Sequence, residues 1–169
     1  MGLVILIGMM GSGKSTVGME LARLLDVDFF DTDKLLEQRL GRPIRQWFQI
    51  YGEQAFREHE TLMLKSLDAE SGVLATGGGI ILRDENWSEL KRLGTTVFLD
   101  VDPEVLKRRL TQSKRKRPLL EVDNWEEKFD SILNSRRDVY NRADQTIEVG
   151  DEALVDVAQK IKNLLHEYP

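Results

Sequence analysis

The stretch Gly8-Met9-Met10-Gly11-Ser12-Gly13-Lys14-Ser15-Thr16 constrains this chain more than any other, because it matches G-x-x-x-x-G-K-[ST] in full. Glycines let a backbone turn sharply and aim successive N–H groups at one anion. A helix opening directly behind them adds its positive end. At this spacing Lys14 reaches the β- and γ-phosphates of a nucleoside triphosphate and the Ser15 hydroxyl holds Mg²⁺, while Gly11, Ser12, Gly13 and Thr16 complete the cradle. Chance produces such a match about once in two hundred chains of this length at average composition. The context narrows it further. An apolar run, Leu3–Ile7, precedes the motif, and Val17, Leu21, Leu24 and Leu25 follow it at helical spacing.

The rest of the chain repeats that alternation. Short β-rich runs recur at Val73–Ala75, Thr96–Leu99 and Thr146–Val149, with a shorter one at Asp28–Phe30. Between them Ile44, Trp47, Phe48 and Tyr51 share a helical face, and so do Leu154, Val157, Ala158, Ile161 and Leu165. Strands separated by helices of ten or more residues predict βαβ units and a parallel sheet, an α/β fold. Gly41 closes one segment and Pro43 opens the next; Asp102-Pro103-Glu104 reads as a cap, a first-turn proline and an acidic first turn. No repeat or low-complexity linker interrupts the 169 residues, which predicts one domain over 1–169.

Composition removes several functions. There is no cysteine, so disulfides and thiolate chemistry are excluded, and two histidines, His59 and His166, make a poor zinc site. A net charge of −5 argues against general affinity for nucleic acid or anionic membrane. Leu3–Ile7 is too short for a membrane span and lacks a basic leader, and Leu6 stands where a myristoylation signal needs Ser or Thr. The expectation is a cytoplasmic, unprocessed protein with small-molecule partners.

A phosphate loop serves motors, switches and kinases alike. A GTP switch needs D-x-x-G and N-K-x-D elements, and neither occurs. A small phosphotransferase needs a second substrate site, and three places offer one. Phe29-Phe30-Asp31-Thr32-Asp33 carries two carboxylates, which fall on one side of an extended chain or else cap a helix. Gly52-Glu53-Gln54-Ala55-Phe56-Arg57-Glu58-His59-Glu60 sets Arg57 among acids that could be simple helix-face partners. Thr76-Gly77-Gly78-Gly79 ends a strand with room for a ligand against the backbone. Between Lys107 and Arg117 stand seven basic residues and no acidic one, either a solvated helix end or a lid over phosphates.

Together these residues resemble the shikimate kinases. The resemblance rests on the phosphate loop, Phe-x-Asp-x-Asp, Trp47-Phe48, the Gly52–Glu60 block, Gly77–Gly79, Arg117-Pro118-Leu119-Leu120, and Arg136 with Tyr140, and spans about residues 4–142. It implies an adenylate-kinase-like P-loop NTPase fold, three layers α/β/α, with a five-stranded parallel sheet in order 2-3-1-4-5. It implies transfer of the γ-phosphoryl group of ATP to the 3-hydroxyl of shikimate, with Mg²⁺, by a monomer active in aromatic amino-acid biosynthesis. An acceptor-binding region over about 31–61 and a mobile lid over about 111–123 come with it. By position, Asp33 is the catalytic base and contacts the acceptor, and Asp31 supports Mg²⁺ beside Ser15. Arg57 and Arg136 grip the acceptor carboxylate, and Gly78 and Gly79 offer backbone N–H groups. Lys14 and the lid residue Arg117 stabilise the transferring phosphoryl group. Where the family often places an adenine-stacking Arg this chain has Leu110, and a shift of one residue gives that role to Arg109.

Three rival readings remain at this stage: a kinase of similar fold for another acceptor, such as gluconate, a regulatory protein that has lost catalysis, and a GTP switch. Trp47, Phe48 and Tyr51 read as core, His59 as a partly exposed helix residue, Met9 and Met10 as loop fillers, and Trp87 and Trp125 as packing or surface residues.

Overall fold

A computed structural model describes residues 2–113 and 123–167. Five parallel strands, β1 (Leu3–Ile7), β2 (Phe29–Asp31), β3 (Gly72–Ala75), β4 (Gly94–Val101) and β5 (Gln145–Val149), form one sheet in the order β2-β3-β1-β4-β5. The central strand β1 pairs Leu3 with Gly72 on one side and with Gly94 on the other. It is covered on both faces, which is why it reads as an unbroken apolar run. Its side chains alternate: Val4 and Leu6 enter one core, Leu3, Ile5 and Ile7 the other.

The first core is closed by α1 (Lys14–Leu25), α5 (Pro103–Gln112) and α7 (Leu154–Glu167), through Val17, Leu21, Leu106, Leu110, Val157 and Ile161. The second is closed by α2 (Thr32–Leu40), α3 (Ile44–Ser66) and α4 (Asp84–Leu93), through Leu36, Trp47, Phe56, Leu64, Trp87 and Leu90. The helix α6 (Trp125–Tyr140) gives Phe129 and Leu133 to the first core and Tyr140 to the second, where its ring stacks on Phe98 at 4.8 Å. The layers and strand order expected from the sequence are those observed. Among the described residues no helix is long and apolar enough to cross a membrane.

Local signals act as expected at Asp102, whose carboxylate accepts from the N–H groups of Glu104 and Val105, and at Gly41, which ends α2 with φ 68°. Elsewhere packing decides. β2 runs one residue further than its apolar run suggests, ending on Asp31. α3 breaks at Gly52, whose φ of 82° and ψ of 173° are not helical. The segment before the break folds back on the segment after it, so Trp47 is buried whereas Tyr51, expected in the core, lies on its outer side with 53% exposure. Trp87 is a core residue, its indole N–H donating to the Ile81 carbonyl at 2.9 Å.

Candidate active site

The C-terminal ends of β1, β2 and β3 open into one cavity of about 1030 Å³. This is where an open α/β sheet, whose adjacent strands β1 and β3 lead into helices on opposite faces, forms its crevice. At one end lies the loop between β1 and α1. Gly11 and Gly13 take φ values of 82° and 91°, the left-handed backbone that curls the loop around an anion site. Neighbouring helices seat it: Leu110 packs where Gly11 lacks a side chain, and Leu154 does so at Gly13. The Lys14 ammonium donates to the carbonyls of Gly8 at 2.7 Å and Met9 at 2.9 Å, which holds it across the loop mouth. Met9 itself is core, with the Tyr140 hydroxyl against its sulfur.

The two carboxylates after β2 reach the same cavity by a different route from the one their spacing suggests. The chain is extended only to Asp31 and turns helical at Thr32. Asp31 does both jobs that its position allows. Its Oδ1 caps α2 by accepting from the Asp33 and Lys34 N–H groups, while its Oδ2 accepts from the Ser15 hydroxyl at 2.8 Å. The hydroxyl and carboxylate that the sequence marked for Mg²⁺ are therefore adjacent. Asp33, in the first turn of α2, lines the cavity further in.

The inner end is organised by Gly77–Gly79. Asp33 Oδ1 stands 2.6 Å from where a Cβ on Gly77 would be, and a Cβ on Gly79 would overlap the Arg57 guanidinium. Arg136 donates from Nη1 to the Gly78 carbonyl at 3.0 Å. The glycines were expected to admit a ligand to the backbone; in the fold they also admit Asp33 and Arg57. Thr32, fully buried, locks the turn by accepting from the Gly77 N–H at 2.7 Å. Asp33, Arg57 and Arg136, far apart in sequence, thus converge on one three-residue strip.

A family model described as shikimate kinase matches residues 10–166. A shikimate kinase of Microcystis aeruginosa is 45% identical over 160 residues, 94% of this chain and 83% of that one. The chain belongs to the shikimate kinase family. Its reaction is the ATP-dependent phosphorylation of shikimate to shikimate 3-phosphate. A shikimate kinase from Acinetobacter baumannii, solved in complex with shikimate, superposes with a TM-score of 0.91 at 39% identity, covering 99% of this chain and 94% of that one. A gluconokinase from Sinorhizobium meliloti, at 18% identity and a TM-score of 0.53, with 99% and 98% covered, shares the fold alone.

The electrostatics of the inner pocket turn on Glu60, which the sequence offers only as one of several helix-face partners for Arg57. Glu60 is 1% exposed and accepts from Arg57 Nη1 at 2.6 Å; Glu53 takes Nη2 at 3.1 Å. Burial pushes the Glu60 carboxyl up, Arg57 pulls it back, and the nearby charge of Asp33 pushes it up again. Burial works against the Arg57 charge, and Glu60 with Glu53 more than offsets this, so its pKa is raised. The signal for Glu60 was present in Arg57-x-x-Glu60, one helical turn apart, yet the same spacing describes any surface pair. Only burial distinguishes it.

The basic stretch divides. Lys107 is held by Asp130 and Glu104, and Arg108 by Asp151, so both serve the scaffold. Arg109 reaches the phosphate loop, Nη1 lying 3.5 Å from the Ser12 carbonyl, and lines the cavity, whereas Leu110 is buried. Of these two residues, Arg109 is the one that lines the cavity. Lys114, Arg115, Lys116 and Arg117, with most of the expected lid, lie outside the described residues.

Proposed function

We propose that the cavity works as two linked half-sites, with the ATP phosphates in the 8–16 loop and shikimate between Asp33 and the Gly77–Gly79 strip. The observation that carries this reading is the convergence of Arg57, Arg136 and Asp33 on those three glycines. Two guanidinium groups at one spot fit a planar carboxylate. A carboxylate beside them fits a hydroxyl.

In the transfer, the acceptor oxygen forms a bond to the γ-phosphorus while the bond from that phosphorus to the β–γ bridging oxygen breaks. The hydroxyl proton passes to Asp33, and the electron pair of the broken bond leaves on ADP. Lys14 and the loop N–H groups hold the β- and γ-phosphates through this step, and Arg57 and Arg136 orient the ring by its carboxylate. Backbone N–H groups of Gly78 and Gly79 complete the acceptor contacts, and Arg109 faces the base side of the nucleotide. Arg117, by resemblance, adds charge to the transferring group.

The Ser15 hydroxyl and the Asp31 carboxylate, 2.8 Å apart at the loop mouth, are hard oxygen donors of the kind Mg²⁺ takes. Ser15 would hold the ion directly and Asp31 through water, and bound Mg²⁺ neutralises charge on the β- and γ-phosphates. Residues 31–61 form the acceptor-binding region in this reading.

Coupled ADP release in Mg²⁺ with shikimate and with gluconate as separate acceptors tests the substrate assignment; turnover should require shikimate. Asp33→Asn should then lower kcat by about 10²–10⁴-fold, the usual yield of a positioned base. A variant with near-normal kcat would remove Asp33 from that role.

A further inference from the structure

The proposed chemistry gives no role to Gly52, which opens the Gly52–Glu60 block. Its φ of 82° and ψ of 173° fall in a backbone region open essentially to glycine alone. Crowding does not explain the glycine, because a Cβ placed there would meet nothing within 4 Å. The reason must lie in the direction the chain takes.

On an unbroken helix Phe48 and Phe56 would sit about 12 Å apart along the axis and about 80° apart around it. Trp47 and His59 would be about 18 Å apart. Helical side chains all lean toward the N-terminus, so leaning does not close such gaps. The observed ring centroids are 4.5 Å apart for Phe48 and Phe56, and 4.8 Å for Trp47 and His59. The turn at Gly52 therefore folds residues 44–51 back along the rest of α3. Arg57 lies on the surface this creates, its guanidinium carbon 5.9 Å from the Phe48 ring centre and 5.6 Å from that of Phe56. Glu53, the first residue after the turn, holds Arg57 Nη2.

We propose that Gly52 is a positioning residue for the acceptor's carboxylate: its left-handed backbone folds Phe48 onto Phe56, and the paired rings with Glu53 and Glu60 aim Arg57 at the Gly79 end of the pocket. The inference rests on the reading that Arg57 grips that carboxylate.

The test compares the dissociation constants of shikimate and of its methyl ester, which lacks the charge that Arg57 recognises. Wild-type enzyme should prefer shikimate by a factor of ten or more, on the scale of a charge-assisted hydrogen bond (about 10–100-fold). Gly52→Ala should compress that preference several-fold and raise the shikimate KM, while kcat at saturation and the KM for ATP stay within about threefold. Ile161→Ala, a core truncation in α7 that lowers Tm, should leave the preference intact. Equal compression in both variants would mean general loosening and overturn the proposal. Should Gly52→Ala fail to fold, Phe48→Leu removes the ring under Arg57 without backbone strain, and an unchanged preference there overturns it as well. Arg57→Ala separates the two layers. If it leaves the preference unchanged, the carboxylate reading of Arg57 fails; if it lowers the preference while Gly52→Ala and Phe48→Leu leave it unchanged, only the role of Gly52 fails.

Discussion

The phosphate loop draws its groups from nine consecutive residues, whereas the acceptor pocket draws its own from four stretches around 31–33, 57–60, 77–79 and 136. The loop is a backbone device. Its geometry follows from glycines at set positions and from the helix behind them, and its one charged side chain is held by carbonyls of the loop itself. The pocket is a packing device. Glu60 and Glu53 hold Arg57 beside two rings, and Arg136 donates to the Gly78 carbonyl. Damage to the first should therefore stay local, whereas damage to the second should spread through its neighbours.

Substitutions that separate the two regions sharpen this contrast. The largest effect is expected from Lys14→Ala, which removes charge stabilisation at the transferring group and should lower kcat by about 10²–10³-fold. The shikimate KM should barely move. Steady-state kinetics check this, and a comparable rise in that KM would show that the two half-sites are not separable.

Arg136→Ala should do the reverse, raising the shikimate KM by about 10–100-fold through loss of charge-assisted hydrogen bonds, with kcat within about threefold. An untouched KM would take Arg136 out of the carboxylate grip.

The smallest effect is expected from Glu60→Gln, which keeps the shape and removes the buried charge opposite Arg57. Urea denaturation over a pH series should resolve it as a change on the order of 1 kcal/mol in the difference between wild type and variant. The pH dependence has a definite sign. The folded pKa of Glu60 is raised by burial, so its contribution is complete below the ordinary carboxylate range and is lost as pH rises through the raised value. The margin of the wild type over the variant should therefore shrink with rising pH across that window. A margin that grows instead would mean that Arg57, rather than burial, controls the site.

The same contrast explains what could be read in advance. Each of the five strands could be located from β-rich runs, with β2 displaced by one residue, because the inner strands β1 and β3, covered on both faces, must be apolar throughout, while the edge strand β5 still alternates. The displacement matters, since it makes Asp31 at once the strand end, the helix cap and the partner of Ser15. The expectation for Tyr51 failed for a related reason. Helical spacing assigns it to the Trp47 face, but the turn at Gly52 brings the following segment onto that face and leaves Tyr51 outside.

The sequence by itself determined the strands, the phosphate loop and the motifs that carry the family resemblance, because each is written in residues close together in the chain and needs only local conformation to be recognised. Tertiary structure alone decided which acids near Arg57 are buried, that Gly79 lacks a side chain where the Arg57 guanidinium lies, and that Arg109 rather than Leu110 lines the cavity beside the phosphate loop. Those are facts of burial and of contact between distant segments. Spacing along a chain cannot supply them, since the same i, i+3 pair is a solvated surface contact on one face of a helix and a desolvated clamp on the other.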